Sequence, residues 1–319
     1  MSESTTPTPT PPAKPLLAAD ADQDNPAGLL RDTFGNIRRQ RSAVIGAIIL
    51  TLLVLMAVFA PLIATHDPTQ TLLGVEEGVT KRSGSCIHLL GCDPSKPEHV
   101  FGTDGNFRDV YSRVVFGART SLFVGFVAVS FAIIVGTLIG AIAGYYAGAD
   151  NVLMRIMDVL LAFPSLLLAI LIVTALGQGL QNALLAIGIV TIPIYARIVR
   201  SSVLSTREND YVTASRALGE SAPGILLRRI MPNSMTPLIV AATLGIGTAV
   251  LEIAALAFVG VTGTLEQPEW GSMIAFERNQ LFLAPHIILV PGIAITLTVL
   301  GFNLLGDGLR DALDPRLNR

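Results

Sequence analysis

Residues Ser121–Ala147 read SLFVGFVAVSFAIIVGTLIGAIAGYYA, without one charged side chain. A helix needs about 20 mostly apolar residues to cross a hydrocarbon core, and inside lipid it must satisfy its own peptide groups. The stretch therefore reads as a membrane-spanning helix. Gly136, Gly140, Gly144 and Gly148 recur at every fourth position and fall on one helix face. A bare stripe of this kind lets another helix approach closely, so the span is expected to pack within a bundle; the alternative is a place on a transport path.

Five further runs of similar length lie around it: Ala43–Ala64, Val152–Leu176 with Pro164 inside, Leu180–Val199 interrupted by Pro193, Met235–Val261, and Ala284–Leu305 with Pro291 inside. Proline is tolerated in bilayer helices because neighbours can satisfy the freed carbonyls. The composition agrees: 51% of the 319 residues are hydrophobic and 14% charged, against about a quarter charged in soluble domains. The expected fold is an all-α polytopic membrane bundle of six transmembrane helices. The first apolar run is too long and too far from the N-terminus for a cleaved signal and reads as a retained span.

Lys and Arg in the loops set orientation. Arg38, Arg39 and Arg41 precede the first span. Arg197, Arg200, Arg207, Arg216, Arg228 and Arg229 fall in or beside the loop between spans four and five, and Arg310, Arg316 and Arg319 lie at the C-terminus. With both termini cytoplasmic, most of the 22 basic residues lie inside. The chain then divides into a disordered cytoplasmic tail over 1–37, rich in Thr, Pro and Ala, a first span over 38–64, an extracytoplasmic segment over 65–119, a five-helix core over 120–306 holding a cytoplasmic loop at 201–234, and a cytoplasmic tail over 307–319.

Within 65–119, Phe107–Arg119 is amphipathic. Phe107, Val110, Tyr111, Val114 and Val115 share one face; Arg108, Asp109, Ser112 and Arg113 share the other. Such a helix suits the membrane surface or the side of the bundle. Cys86 and Cys92 are the two cysteines. They read as free thiols or, on the oxidising side, as a small disulfide loop. Zinc needs about four ligands, and their spacing to His88 and His99 fits no zinc pattern.

The loop Asp210–Pro237 reads DYVTASRALGESAPGILLRRIMPNSMTP. Two short helices are expected, Tyr211–Leu218 and Ala222–Ile230. Gly219 suits a C-cap, and Ser221 suits an N-cap followed by Pro223 in the first turn. So short a unit buries no core of its own and must dock on the bundle or a partner.

This loop resembles the conserved cytoplasmic loop of ABC importer permeases, E-A-A, three residues, Gly, then about a dozen residues to Pro. Thr213, Ala214 and Ser215 take the opening places, Gly219 the glycine and Pro232 the proline; Thr213 and Ser215 depart from the pattern, and Met231 stands where Leu is usual. The resemblance covers about Arg38–Arg319. FGTD (101–104), RDVYSRVVFGARTSL (108–122), DVLLAFPSLLLAI (158–170), PEWGSMI (268–274) and FNLLGDGLRDALDPRL (302–317) look like the C-type subunit of the dipeptide/oligopeptide branch. The segment around Thr71–Pro97 is longer than expected for that branch.

The resemblance implies a type I importer permease that pairs with a homologous permease subunit as a heterodimer, with two ABC ATPase subunits below and an extracytoplasmic substrate-binding protein above. It would sit in the bacterial cytoplasmic membrane and pass di- or oligopeptides; relatives in the branch also handle glutathione, opines or chelated nickel. Thr213, Ala214, Ser215, Arg216, Ala217, Leu218, Gly219, Glu220 and Pro232 would form the ATPase-coupling loop, with Pro232 fixing the exit into span five. ATP and Mg would be bound by the partner ATPases. The chain itself carries no Gly-x-x-x-x-Gly-Lys-Ser/Thr loop, no cofactor site and no nucleic-acid signature.

Five side chains inside or between spans need separate readings. Asp158 has Arg155 three residues before it, which suggests an ion pair. Glu252 has no basic partner in its own span and reads as pathway-lining, gating or an interhelix hydrogen bond, since a charge at mid-bilayer costs about 2.5–3.5 kcal/mol. Trp270, between spans five and six, reads as an interfacial anchor or a contact for the binding protein or peptide. Tyr145 joins Tyr146 in the inner interfacial belt. His66, His88, His99 and His286 are scattered, and nothing supports catalysis. An ion-coupled secondary transporter, which would show repeats and broken helices, and a membrane hydrolase are the readings from other classes.

Overall fold

The computed structural model describes residues 40–263 and 266–313; the expected tail over 1–37 and residues 314–319 of the C-terminal tail lie outside them. Among the described residues the regular structure is helical, with only isolated β-bridges besides. The helices are α1 (Arg41–Val58), α2 (Val110–Tyr145), α3 (Ala147–Leu161), α4 (Ser165–Leu176), α5 (Leu180–Thr206), α6 (Asp210–Ala217), α7 (Thr236–Val259), α8 (Trp270–Glu277) and α9 (Pro285–Leu313). Helices α1, α2, α5, α7 and α9 are each long and apolar enough to cross a membrane.

The run expected as one span over Val152–Leu176 is instead α3 and α4, bent by 92° at Ala162–Pro164. Pro164 lacks an N–H and pushes Phe163 away from helical geometry; Pro164 itself is extended, at φ −56° and ψ 129°. Pro193 and Pro291 lie inside unbroken helices. Helix α9 runs on to Leu313, well past the expected end at Leu305.

Helices α2 and α5 form the most extensive pairing in the bundle. Gly136, Gly140 and Gly144 are the reason. A methyl on Gly136 would lie 2.8 Å from Tyr195 Cβ, one on Gly140 2.9 Å from Val199 Cβ, and one on Gly144 2.8 Å from Val203 Cβ. Gly148, past the end of α2, faces open space. Three of the four glycines thus let two backbones touch. Gly140→Leu is expected to force the helices apart and cost about 1–3 kcal/mol, read as a lower Tm of the detergent-solubilised chain; Gly148→Leu should leave Tm unchanged.

One apolar core lies among α2, α3, α4, α5 and α7, and includes Ala132, Val173, Ile187, Ala196 and Ile253. A second joins α1, the start of α2, α8 and α9 around Leu53, Val110, Trp270, Ile287 and Ile295. Helix α1 leaves Ile48, Leu52, Val54 and Val58 exposed, the pattern of a helix that meets lipid on one side.

The amphipathic stretch over 107–119 is not a separate surface helix. Residues 110–119 are the first part of α2, which runs unbroken over 36 residues, and 107–109 precede it, with Asp109 as the N-cap. The polar face of the stretch is buried too: Arg108, Asp109, Ser112 and Arg113 are each 6% exposed or less. The FGTD turn supplies their partners. Asp104 Oδ1 accepts from the N–H groups of Asn106 (2.7 Å) and Arg108 (2.9 Å), while Oδ2 pairs with Arg108 Nε at 3.0 Å and Arg113 Nε at 3.6 Å. Burying charge is tolerated where it is paired and hydrogen-bonded.

Candidate functional site

The segment between α5 and α7 lies at the far end of α2 from this network, since Arg207 Nη1 donates to Gly144 O at 3.0 Å. Helix α6 ends as its sequence predicts. Gly219 adopts φ +80°, its N–H bonds Arg216 O and the next N–H, of Glu220, bonds Ser215 O, both at 3.1 Å. This crossed pair is the Schellman arrangement, which needs a left-handed residue.

The second helix differs from expectation. It runs without a break through Ala222–Gly224, Ile225–Ile230 and Met231–Ser234, and the middle part is a π-helix. Ser221 begins it without a side-chain cap, though Pro223 is in its first turn. Pro232 accounts for the widening: its ring would collide with the carbonyl four residues back, and Met231 N–H bonds Leu226 O, five back. Asn233 Nδ2 donates to the carbonyl of Arg229 at 2.7 Å. Pro232 therefore shapes the inside of this helix; the break comes at Met235, and Pro237 takes the first turn of α7.

One side of this helix pair is anchored and the other is bare. Val212, Ile225, Leu226 and Ile230 are buried in the larger core. Ser234 Oγ bonds Thr206 Oγ1 at 3.0 Å in a buried contact. Glu220 Oε2 pairs with Arg229 Nε at 3.1 Å, and Asn233 Nδ2 donates to Tyr211 Oη at 3.3 Å, so the two helices are tied to each other. Thr213, Ala214, Arg216, Ala217, Leu218, Gly219 and Pro232 are exposed; Ser215 and Glu220 are half-buried. Leu218 is 87% exposed and Leu227 66%. Together with Tyr211, 41% exposed, and the exposed Ala214 and Ala217, they give the bare side an apolar character.

The polar groups within the bundle depart from expectation in two places. Asp158 pairs with Arg197 of α5, Nη2 to Oδ1 at 2.6 Å, rather than with Arg155. Arg200 forms a parallel pair with Asp150, Nη2 to Oδ2 at 2.6 Å. Both tie α3 to α5. Trp270 is neither an interfacial anchor nor an exposed contact. It is fully buried, its Nε1–H donates to Val114 O at 2.9 Å, and its ring lies against Gly117. In this structure the Trp270 ring is packed inside the bundle, whereas the sequence reading put it on the pathway.

The PEWGSMI stretch explains that burial. Glu269 caps α8, accepting from Gly271 N–H at 2.8 Å and Ser272 N–H at 2.7 Å. Burial pushes its carboxyl above the usual range, against the pull of those two bonds. Gly271 lies against Ala254 of α7, so α8 presses its first turn, and with it Trp270, into the bundle.

Glu252 of α7 is half-buried and faces the bend between α3 and α4. Its Oε1 accepts from Ser165 Oγ at 3.4 Å, and its Oε2 is buried without a hydrogen-bond partner. The first turn of α4 lies beside it, and the positive end of a helix favours a carboxylate. Tyr145 and Tyr146 meet edge to face at 5.0 Å.

Sequence reasoning missed one cluster. His66, His99 and Asp109 converge, with ligand-capable atoms all within 4.8 Å of one another. Their spacing in sequence carries no signal. Burial raises the Asp109 carboxyl, but hydrogen bonds from His99 and Ser112 outweigh it and hold the group below the usual range. Cys86 and Cys92 are joined in a disulfide with Cα atoms 5.4 Å apart.

Comparison with known proteins agrees with this architecture. The family of binding-protein-dependent transport system inner membrane components matches residues 121–319, and the N-terminal TM domain of oligopeptide transport permease C matches residues 28–76. The chain is 46% identical over 312 residues to the dipeptide transport system permease protein DppC of Alkalihalophilus pseudofirmus, covering 96% of this chain and 98% of that one. It is 39% identical to the di/tripeptide permease DppC of Pseudomonas aeruginosa, over 90% and 92% of the two chains. It is 42% identical to the glutathione permease GsiD of Escherichia coli, over 88% of each. Among solved structures, the MetNI methionine ABC transporter superposes with a TM-score of 0.54 at 20% identity, covering 63% of this chain and 97% of that one.

Proposed function

Because the chain belongs to the family of binding-protein-dependent transport system inner membrane components, we propose that it is the membrane permease of an ATP-driven importer of di- and oligopeptides. It is a non-catalytic subunit; ATP and Mg are bound by partner ATPases. The observation that carries the coupling role is the knob over Asp210–Ser234, fixed to the core by Val212, Ile225, Leu226 and Ile230 while Leu218 and Leu227 stand bare. An ATPase that grips Thr213–Glu220 moves the bundle as one body.

The loop charges favour an orientation with this knob and both termini in the cytoplasm. Residues 65–109 then face the binding protein. A homologous permease subunit completes the pathway. The α3–α4 side suits it, since Val152, Ile156, Val159 and Phe163 are exposed there beside the Asp158–Arg197 pair. Glu252, with one oxygen unpartnered, is the group on this chain suited to meet a peptide ammonium on the pathway.

The test is peptide uptake into liposomes that hold this chain, its partner permease and both ATPases, with the binding protein outside and ATP inside. ATP-dependent accumulation of di- and tripeptides is expected. ATP hydrolysis without peptide entry would move the substrate to glutathione or another small solute. Uptake that follows an ion gradient and ignores ATP would overturn the reading.

A further inference from the structure

The segment between α1 and α2 brings together two imidazoles and two carboxylates that the transport role does not use. His99 is 2% exposed. Its Nδ1 lies 3.1 Å from Asp109 Oδ1, and Asp109 Oδ2 also accepts from Ser112 N–H at 2.7 Å. A carboxylate in that position accepts a hydrogen bond from Nδ1–H, and in that neutral tautomer Nε2 carries the lone pair. That Nε2 is buried without a hydrogen-bond partner, and so is Oε2 of Glu76, 3.4 Å away. His66 approaches from the other side. Its Nδ1 contacts Thr65 Oγ1 at 2.9 Å, and its Nε2 lies 3.9 Å from the same Glu76 oxygen. The two rings are 5.1 Å apart between centroids.

Two buried acceptors, His99 Nε2 and Glu76 Oε2, thus face each other with no hydrogen bond between them, and His66 Nε2 stands at their partly exposed side. Buried acceptors that face one another are costly unless a cation lies between them. We propose that His66 Nε2, His99 Nε2 and Glu76 Oε2 bind one divalent d-block cation of the zinc type, with Asp109 orienting His99. Bonds of about 2.0–2.2 Å to nitrogen and oxygen put tetrahedral ligand atoms roughly 3.3–3.6 Å apart. The 3.4 Å pair is already at that separation, and a small turn of the His66 ring closes the 3.9 Å one. A carboxylate holding the far nitrogen of a metal-binding imidazole is the usual outer-shell arrangement. His66 and Glu76 side chains are 23% and 32% exposed, which gives the ion a way in.

The ion would clip three parts of the chain to the start of α2. His66 follows α1, and its N–H bonds Ser112 Oγ at 3.0 Å. Glu76 sits on the turn closed by its N–H to Leu72 O. His99 pairs through both backbone groups with Cys86, at 2.8 and 2.9 Å, so the disulfide loop Cys86–Cys92 holds it in place. The cation therefore stabilises the surface formed by residues 65–109, whatever binds there.

The test is zinc binding to the full chain, purified without a polyhistidine tag. Stoichiometric zinc after dialysis at micromolar free metal is expected, together with the intense visible bands of four-coordinate Co(II) when cobalt replaces it. His66→Ala and Glu76→Gln, both at partly exposed positions, should weaken zinc binding by at least about 100-fold, and Asp109→Asn by about 10–100-fold. His88→Ala, outside the cluster, should bind as the wild type does. No stoichiometric zinc in the wild type, or equal affinity in wild type and His66→Ala, would overturn the assignment.

Discussion

Leu218→Asp is expected to leave the protein folded and inserted at wild-type amounts while ATP-driven uptake falls by at least an order of magnitude. Leu218 is 87% exposed and contributes nothing to either core, so the change costs the isolated chain little. At a docking contact it replaces an apolar anchor with a carboxylate. Loss of one such anchor costs about 2 kcal/mol or more, roughly 30-fold in affinity for the ATPase. Gly219→Leu should reach a similar transport defect by another route. A methyl there meets nothing within 4 Å, but φ is +80°, and the left-handed backbone costs a side chain about 1–2 kcal/mol. The two variants are separated by pull-down of the ATPases in detergent. Wild-type uptake in Leu218→Asp would remove the docking surface from this knob.

Trp270→Ala is expected to be the most damaging single change in the bundle. A fully buried tryptophan is worth about 3–5 kcal/mol, and Trp270 also satisfies the carbonyl of Val114. Loss of membrane-inserted protein and a collapse of Tm should follow. Trp270→Phe keeps most of the apolar volume and loses the hydrogen bond, for which about 1 kcal/mol is expected. If Trp270→Ala retains wild-type Tm but loses peptide uptake, the residue acts on substrate and not on packing.

The spans were legible because lipid imposes one rule on every helix, an apolar run of sufficient length. The turn at Gly219 was legible for a related reason, since few residues tolerate left-handed backbone. What failed were features decided by partners far away in sequence. Pro164, Pro193 and Pro291 look alike in apolar runs, yet only Pro164 marks a break. The polar face over Arg108–Arg113 reads as solvent-facing until Asp104 is placed against it. Arg155 was the nearest cation to Asp158 along the chain, but Arg197 reaches it from another helix. His66 and His99 lie on either side of a long irregular segment, and no periodicity connects them.

Helix α2 has 36 residues, which at about 1.5 Å per residue is roughly 54 Å, far more than the ~30 Å of hydrocarbon. It acts as a mast stepped in the membrane. A tilt of about 10° at its foot displaces its head by roughly 9 Å. The foot is fastened to α5 at Gly140 and Gly144 and, at the Gly144 carbonyl, to Arg207 where α5 ends, while the head carries Asp109 and the folded segment before it. Linkage between two sites on one rigid body is reciprocal. Under the proposed function, a binding protein on the head and nucleotide on the subunits at the foot would change each other's affinity by one common factor.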